Sequence, residues 1–154
     1  MKRFAALVGM IAFFWAAAGW GAEVRLGPAR AANGQTIDIP VTADRVERLA
    51  GVKLVIAYDA DALTFRAANK TPRTQALMHI VNDKKPGRLV IVMAGARGID
   101  GQDVRLLTLT FQGRNGAKRN PPTRIDILEC QLMGEDLKEI RATTRGCAVP
   151  IAPP

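Results

Sequence analysis

The segment of residues 51–65, GVKLVIAYDADALTF, restricts the fold of this chain more than any other segment. Its first half alternates so that four side chains share one side, those of Val52, Leu54, Ile56 and Tyr58. Such alternation is typical of a β-strand with one buried face. Asp59 and Asp61 come next, and aspartates close tight turns by bonding to their own backbone. Because the apolar pattern resumes at Leu63, the segment predicts two strands joined by a turn.

The chain after residue 21 repeats this pattern of short apolar segments separated by Gly, Pro, Asn and Asp. The segments follow one another at about 8–12 residues, and helical periodicity is weak almost throughout. We therefore predict one domain over residues 22–151, an all-β fold built as a nine-stranded antiparallel β-sandwich with jelly-roll topology. The candidate segments for these strands are 24–26, 36–42, 52–58, 63–67, 77–81, 88–94, 104–112, 123–133 and a terminal hairpin of 138–141 with 147–151, of which about nine are expected to form the sandwich.

Three segments carry further expectations. The strand at 88–94, RLVIVMA, is apolar on both faces. It is either a central strand covered on its second face or part of an exposed apolar binding face. A glycine-rich loop is expected at 95–103, and a disordered tail at 152–154.

The first 21 residues have the features of a secretory signal peptide. Lys2 and Arg3 form a positive start, residues 4–18 are uninterruptedly apolar, and residues 19–21, GWG, supply a small-x-small cleavage motif. We expect the mature chain to begin at Ala22, with cleavage after Ala22 as an alternative. An uncleaved anchor is the other alternative, but a membrane span needs about 20 apolar residues and this run is shorter. The interpretation implies an exported domain, periplasmic or extracellular, with no membrane span after cleavage.

The formal charge of the chain is +8, and loss of Lys2 and Arg3 with the leader reduces it to +6. The remaining cationic residues are spread from Arg25 to Arg145 rather than concentrated in one segment. Nucleic-acid-binding proteins concentrate charge on one face and often add stacking aromatics, so no nucleic-acid partner is expected. Solvated turns explain the charge, and adhesion to an anionic envelope surface is the alternative.

Cys130 and Cys147 are the two cysteines of the chain. Because an exported protein matures where disulfides form, their even number predicts one intrachain bridge. The bridge would close a loop of 18 residues and contribute about 3 kcal/mol. Two buried thiols are the alternative. No metal site is expected, since the spacing is wrong for zinc and only His79 could assist.

We expect neither a catalytic site nor a cofactor, and therefore no enzyme. The chain contains no serine, which excludes a Ser-His-Asp hydrolase. A Cys-His nucleophile would need a cysteine beside His79, and a disulfide would prevent it. Asp59 and Asp61 fit a hydrogen-bonded turn better than a catalytic pair. Calcium coordination together with Asp100 or Asp103 is the alternative for these aspartates.

Several segments together resemble cohesin domains and, more broadly, the related sandwich of cellulose-binding modules. They cover nearly all of the mature chain: VRLGPARAANGQTIDIPV at 24–41, GVKLVIAYDADALTF at 51–65, GRLVIVMAG at 87–95, VRLLTLTFQ at 104–112 and TRIDILECQLMGEDLKEI at 123–140. The family typically has a Tyr-Asp-Pro turn, where this chain has Ala60 in place of the proline. The pair of cysteines is not a general feature of the family.

The resemblance implies a non-catalytic module that binds a protein partner, in the family a dockerin, which is a small helical calcium-loaded module. The binding surface would be a flat face of strands 52–58, 77–81 and 88–94, with the candidate partner-binding residues Lys53, Val55, Val81, Leu89 and Ile91. A carbohydrate-binding module acting on polysaccharide is one alternative. It is disfavoured because sugar sites stack rings on exposed aromatics, and Tyr58, Phe65 and Phe111 are all expected in the core. A structural subunit of an envelope or secretion assembly is the other alternative.

Overall fold

The computed structural model describes residues 21–117 and 121–152. Strands make up nearly all of these ranges, and one short 3-10 turn, Pro72–Thr74, interrupts them. The strands are β1 (Ala22–Leu26), β2 (Ala31–Ala32), β3 (Thr36–Tyr58), β4 (Leu63–Lys70), β5 (Met78–Asn82), β6 (Arg88–Gly113), β7 (Thr123–Gly134), β8 (Glu139–Ile140), β9 (Ala142–Arg145), β10 (Cys147–Val149) and β11 (Ile151–Ala152). The predicted all-β class is confirmed. The described residues include no helix long and apolar enough to cross a membrane.

Two predictions concern residues at the ends of the chain. The predicted signal peptide lies outside the described residues, except for Gly21. The last two residues of the predicted disordered tail, Pro153 and Pro154, also lie outside them. Ala152 is different, because it pairs in parallel with Ala32 as the last residue of β11. The prediction of disorder is therefore wrong at Ala152.

Two long strands, β3 and β6, replace four of the predicted strands and the loop predicted at 95–103. They pair with each other in antiparallel register along almost their whole length, from Thr36 opposite Gln112 to Ala57 opposite Arg88. The ladder is interrupted where Leu49 pairs with Ile99 and Gly51 pairs with Ala94. Residues 95–98 therefore bulge out of β6, and this glycine-rich stretch bends the hairpin instead of ending it.

The two long strands pass from one sheet of the sandwich to the other, so each sheet contains half of each strand. Sheet I consists, in order, of β9, β1, residues 36–43 of β3, residues 104–113 of β6, and β4. Sheet II consists of β7, residues 51–58 of β3, residues 88–94 of β6, and β5, while β8 and β10 pair with the outer edge of β7. The chain crosses between the sheets at residues 45–51 and 94–102.

A single hydrophobic core lies between the inward sides of the two sheets. Sheet I contributes fully buried residues that include Ile39, Val41, Leu109 and Phe111, and sheet II contributes others that include Leu54, Ile56, Leu89 and Ile91. Burying a side chain of this size contributes about 1.5–3 kcal/mol to folding. The Phe111 ring meets those of Tyr58 and Phe65 edge-on, at centroid distances of 5.0 and 5.6 Å. Phe111 is fully buried, as predicted, whereas Tyr58 and Phe65 are only partly buried and pack against the core.

The end of the chain does not form the predicted terminal hairpin. Its four short segments attach to three different strands: β8 and β10 to β7, β9 in parallel to β1, and β11 in parallel to β2. Each segment has only two to four residues, so it covers one exposed strand edge and then moves to the next. Non-local edge pairing of this kind leaves no periodic pattern in the sequence.

The pairing of the C-terminal segments also separates the two cysteines, which are both free thiols. Cys147 lies opposite Ile125 on β7, and Cys130 is five residues farther along the same strand, opposite Leu54. At about 3.3 Å per residue their separation is roughly 15 Å, whereas bridged Cα atoms lie within about 7 Å. The predicted disulfide is therefore wrong. Burial raises the pKa of both thiols, that of Cys130 to about 11.

Candidate partner-binding face

The outward side of sheet II is called the open face below. Four strands place their outward residues in rows that run across the sheet. One row holds Ile80, Val92, Lys53 and Gln131, and the next holds Asn82, Val90, Val55 and Glu129. Because the side-chain period of a strand is two, the residues between them point into the core.

The open face carries a patch of apolar side chains that water reaches. Among the described residues, five large apolar side chains are exposed, and four of them lie on this face. They are Met78 at 73 %, Ile80 at 66 %, Leu128 at 60 % and Val92 at 38 % exposed. The fifth, Leu137, lies in the turn between β7 and β8. Contiguous exposed apolar side chains on one face are typical of surfaces that bind macromolecules.

Leu128 reaches the open face because β7 contains a bulge. Val55 of β3 pairs with Glu129, and the next residue, Ile56, pairs with Ile127. Leu128 is therefore an extra residue that opposes nothing on β3, and its side chain is left exposed. Such a bulge re-aims a side chain without breaking the strand.

The structure separates the five predicted partner-binding residues into two groups. Lys53 and Val55 lie at outward positions of β3, although Val55 is only 2 % exposed. Leu89 and Ile91 are fully buried, and Val81 packs against the core. The prediction that these three face a partner is wrong, because the strands 78–82 and 88–94 are in the opposite phase to the one assumed.

Sequence reasoning missed the residues that form the patch, Met78, Ile80, Val92 and Leu128. Three of them are the alternate positions of strands that the prediction did identify. The alternation that marks these three positions is present in the sequence. In MHIVN and RLVIVMA, however, both sets of alternate residues contain apolar side chains, so the sequence does not show which set faces outward. Leu128 had no such signal, since a bulge changes the phase within one strand.

Two ion pairs lie on the open face. Lys53 Nζ lies 2.9 Å from Glu129 Oε1, and Arg124 Nη2 lies 3.0 Å from Asp126 Oδ1. The hydrogen bond from Arg124 to Asp126 raises the pKa of that guanidinium. Both pairs join neighbouring positions of sheet II, so each neutralises charge locally on the open face. Exposed pairs of this kind contribute little to stability.

A polar cluster fixes one end of the open face at the crossing between the sheets. Arg48 has a left-handed backbone with a φ of 51°, and its N–H donates to Asp100 Oδ1 at 2.8 Å. Its Nε donates to Glu135 Oε1 at 2.7 Å, and the N–H of Gly98 donates to Glu135 Oε2 at 2.7 Å. The Gly98 and Arg48 bonds lower the pKa of Glu135. One carboxylate therefore ties the bulged residues 95–98 to β3 and to the turn after β7.

The aspartates considered for calcium have other partners. Asp59 Oδ1 accepts the N–H of Asp61 at 2.9 Å, which is the predicted turn bond. Asp103 pairs with Arg25 at 2.6 Å, and Asp100 lies in the crossing cluster beside Arg48. The two pairs of aspartates are at opposite ends of sheet I, so the calcium alternative has no geometry to support it. In the described part of the chain no group of three potential metal ligands occurs.

His79 occupies an inward position of β5 and is half-buried. Its Nε2 lies 3.1 Å from the carbonyl oxygen of Ala68 on β4. This bond joins β5 of sheet II to β4 of sheet I. His79 therefore has a packing role. The strands that carry the two cysteines, β7 and β10, do not pair with β5, so the arrangement gives no support to a Cys-His nucleophile.

The fold and the open face define a class of protein, a β-sandwich binding module with an apolar sheet face in contact with solvent. The family model described as Cohesin domain matches residues 22–145. The match covers most of the chain, so the chain belongs to the cohesin domain family, as the sequence resemblance predicted. None of the curated proteins compared with the chain matches it.

Solved structures of cohesins have the same fold. A cohesin–dockerin complex from Clostridium thermocellum is 19% identical, with a TM-score of 0.76 over 88% of this chain and 96% of that chain. A non-cellulosomal cohesin from the archaeon Archaeoglobus fulgidus is 16% identical, with a TM-score of 0.73 over 86% and 92%. The cohesin module of a Clostridium perfringens family 33 glycoside hydrolase is 10% identical, with a TM-score of 0.72 over 87% and 97%.

Proposed function

We propose that this protein is a non-catalytic, exported module that binds a dockerin-like or envelope protein through the open face. The observation that carries the proposal is the position of the exposed apolar side chains. Met78, Ile80, Val92 and Leu128 all lie on one sheet face, although they come from three strands, one of which, β7, is distant from the other two in sequence. A face of this kind loses unfavourable contact with water when a partner covers it.

The relatives support a protein partner. The Clostridium thermocellum structure is a complex of a cohesin with a dockerin, which makes a dockerin-like module the first candidate here. The Archaeoglobus fulgidus relative is described as non-cellulosomal. Membership of the family therefore does not require a cellulosome, and an envelope protein is an equally consistent partner. The leader sequence supports export, to the periplasm or beyond the cell.

Capture of partners from the native envelope and medium tests the proposal. The processed chain is immobilised, and bound proteins are identified with and without a calcium chelator. A partner that is lost with chelator indicates a dockerin, whose calcium loops need the ion. A partner retained with chelator indicates an envelope assembly. The absence of any specific protein would contradict the proposal and would lead to glycan screening.

Two variants locate the binding surface in the same experiment. Ile80→Glu places a charge in the apolar patch and is expected to abolish capture. Leu137→Glu is the matched control, since Leu137 is also exposed and apolar but lies off the open face. Capture that survives Ile80→Glu, or that Leu137→Glu removes equally, would exclude the open face as the binding surface.

A structural subunit remains the second candidate, because β5 pairs with β6 alone among the described strands and carries the exposed residues Met78 and Ile80. Unpaired strand edges favour association with another strand. Concentration-dependent mass measured by sedimentation would favour this candidate. The carbohydrate alternative gains no observation, since the described aromatic rings pack against one another.

A further inference from the structure

The hydrogen bonds of sheet II fix the direction of the main-chain groups of β5. The N–H of Tyr58 donates to the carbonyl oxygen of Gly87 at 3.0 Å, one step beyond the β3–β6 ladder. Main-chain groups along an antiparallel strand point alternately to its two sides. Within residues 88–94 of β6, the odd-numbered residues therefore bond to β3, and the even-numbered residues bond to β5.

The same alternation leaves two residues of β5 with their N–H and C=O groups directed away from β6. The partners of the even-numbered β6 residues are Met78, Ile80 and Asn82, so these three complete the ladder. His79 and Val81 lie between them, and their main-chain groups point to the other side. Among the described strands and loops, neither has a main-chain hydrogen-bond partner on that side. Such unpaired groups are a template for a further strand.

Strand β5 also lacks the features that protect a strand edge. Native edges are commonly protected by charged side chains, prolines or bulges. The outer strand of sheet I, β4, has such features, because it carries Arg66 and Lys70 and its register shifts between Phe65 and Ala67. The sequence of β5, MHIVN, contains no Asp, Glu, Lys, Arg or Pro, and its ladder with β6 has no shift. The edge of β5 is therefore the one suited to pairing.

We propose that β5 pairs in antiparallel register with β5 of a second copy of this chain, about a two-fold axis that passes beside Ile80. The N–H and C=O of His79 then bond to the C=O and N–H of Val81 in the second copy, and the symmetry repeats these bonds. This register uses every outward-pointing main-chain group of β5. The inference goes beyond the proposed partner binding, because the strand edge is a different surface from the open face, and it gives the structural-subunit candidate a definite contact.

The side chains on the outward side of β5 are compatible with this register. Ile80 meets Ile80 of the second copy across the axis, and Met78 lies opposite Asn82. Ile80 and Met78 are 66 % and 73 % exposed in the single chain, so pairing removes apolar surface from water. None of these contacts brings two charges of the same sign together.

A pair of opposite charges favours the same register. Lys70 Nζ donates to the carbonyl oxygens of Gln75 and Leu77, at 3.0 and 2.8 Å. Extension of the register places Asp83 of the second copy opposite Leu77, beside this ammonium group. In the single chain, the ion pairs of the described residues include neither Lys70 nor Asp83. Pairing of two copies would therefore bring an ammonium and a carboxylate together at each end of the contact.

Sedimentation and cysteine cross-linking of the processed chain test the inference. Sedimentation equilibrium should show a reversible dimer, because the contact of one short strand is small. Ile80→Cys places two thiols across the axis within disulfide reach, and mild oxidation should convert most of this variant to a covalent dimer. Met78→Cys is the matched control, because Met78 is equally exposed but lies about 13 Å along the strand from its symmetry mate. The unsubstituted chain, with Cys130 and Cys147, gives the background.

Val81→Pro examines the strand edge without altering the open face. It removes a main-chain donor that points away from β6, a position where an edge strand tolerates proline. We expect the dissociation constant of the dimer to rise about tenfold or more, because half of the main-chain donors between the copies are lost. Partner capture by this variant should persist.

Three results would overturn the inference and leave the proposed function standing. They are a monomeric mass at every concentration, equal cross-linking of Ile80→Cys and Met78→Cys, and a Val81→Pro chain that dimerises as tightly as the unsubstituted chain. A dimer with the expected cross-link that captures no partner would have the opposite meaning. It would support pairing through β5 and contradict partner binding at the open face.

Discussion

The two sheets use the same two strands and yet present opposite surfaces to solvent. In sheet I, β3 and β6 direct polar residues outward, among them Thr36, Asp38, Thr108, Thr110 and Gln112. In sheet II, the same strands direct Val55, Val90 and Val92 outward, next to the apolar residues of β5. Strand pairing does not explain this difference, since β3 and β6 pair with each other in antiparallel register in both sheets. The side chains alone determine which sheet is left apolar.

The polar surface of sheet I is satisfied by hydrogen bonds within the protein. Thr110 Oγ1 donates to Asp38 Oδ1 at 2.6 Å, and Gln112 Nε2 donates to the carbonyl of Gly34 at 2.8 Å. Arg66 donates to the side-chain oxygen of Gln112. The exposed side chains of the patch on sheet II are apolar and form no such hydrogen bonds. Sheet I is complete as a solvated surface, whereas sheet II leaves apolar side chains in unfavourable contact with water.

The largest expected effect separates the two sides of sheet II itself. Ile91→Ala removes a fully buried side chain and is expected to lower the free energy of unfolding by about 2–5 kcal/mol. Val92→Ala, one residue away on the open face, should lower it by less than about 1 kcal/mol. Denaturant unfolding of both variants measures the difference. Similar losses for the two variants would contradict the inward and outward assignment.

The class of fold could be predicted because apolar and polar residues alternate along a half-buried strand with a period of two. The turn at Asp59 is also local, so its hydrogen bond could be predicted from residue types. The sequence does not show which side of strand 88–94 faces the core, because both sides are equally apolar. One side carries Leu89, Ile91 and Met93, and the other carries Val90 and Val92. Only the position of β6 between β3 and β5 decides which side is covered.

The crossing between the sheets was predicted as a loop for a related reason. Residues 95–98, GARG, carry two glycines, and glycines mark loops and bulges alike. Glu135, whose carboxylate accepts the N–H of Gly98 in this bulge, lies 37 residues away in sequence. The prediction of a disulfide was wrong for a similar reason. An even number of cysteines does not show which strand β10 pairs with, and that pairing determines how far apart the two cysteines lie.

A second prediction compares the apolar surfaces of the two sheets directly. The double variant Met78→Lys with Ile80→Lys should shorten retention of the protein on a hydrophobic-interaction column. The reason is that both apolar residues are exposed, at 73% and 66%, and the variant replaces them with charged side chains. Thr64→Lys with Thr108→Lys adds the same charge to sheet I and should change retention much less. Equal shifts for the two double variants would mean that the patch on sheet II is not accessible.

A third prediction concerns the hydrogen bonds of sheet I. Thr110→Val keeps the branched shape that suits a strand but removes the donor to Asp38. We expect the free energy of unfolding to fall by about 0.5–1.5 kcal/mol, the usual net value of one such bond. The substitution should leave partner capture unchanged, since Thr110 lies on the other sheet. A loss of capture would show that sheet I also takes part in binding.

The smallest expected effect concerns the crossing that joins the two sheets. The pKa of Glu135 is lowered by the Gly98 N–H and by Arg48, so folding favours its charged form. Its stabilising contribution is therefore present above the ordinary glutamate value of 4.5 and is lost as pH falls through the lower folded value. Glu135→Gln should reduce Tm by a few degrees at neutral pH and by less in acid, where the native carboxylate is also protonated.

Glu139→Gln is the matched control for that measurement, because Glu139 is exposed, lies in the neighbouring strand β8, and joins none of the ion pairs that the described residues form. Its Tm should follow that of the unsubstituted protein at every pH. If Glu135→Gln also runs parallel to the unsubstituted protein across the acid range, the carboxylate does not hold the crossing. The two sheets would then be joined by the β3–β6 ladder and the shared core alone.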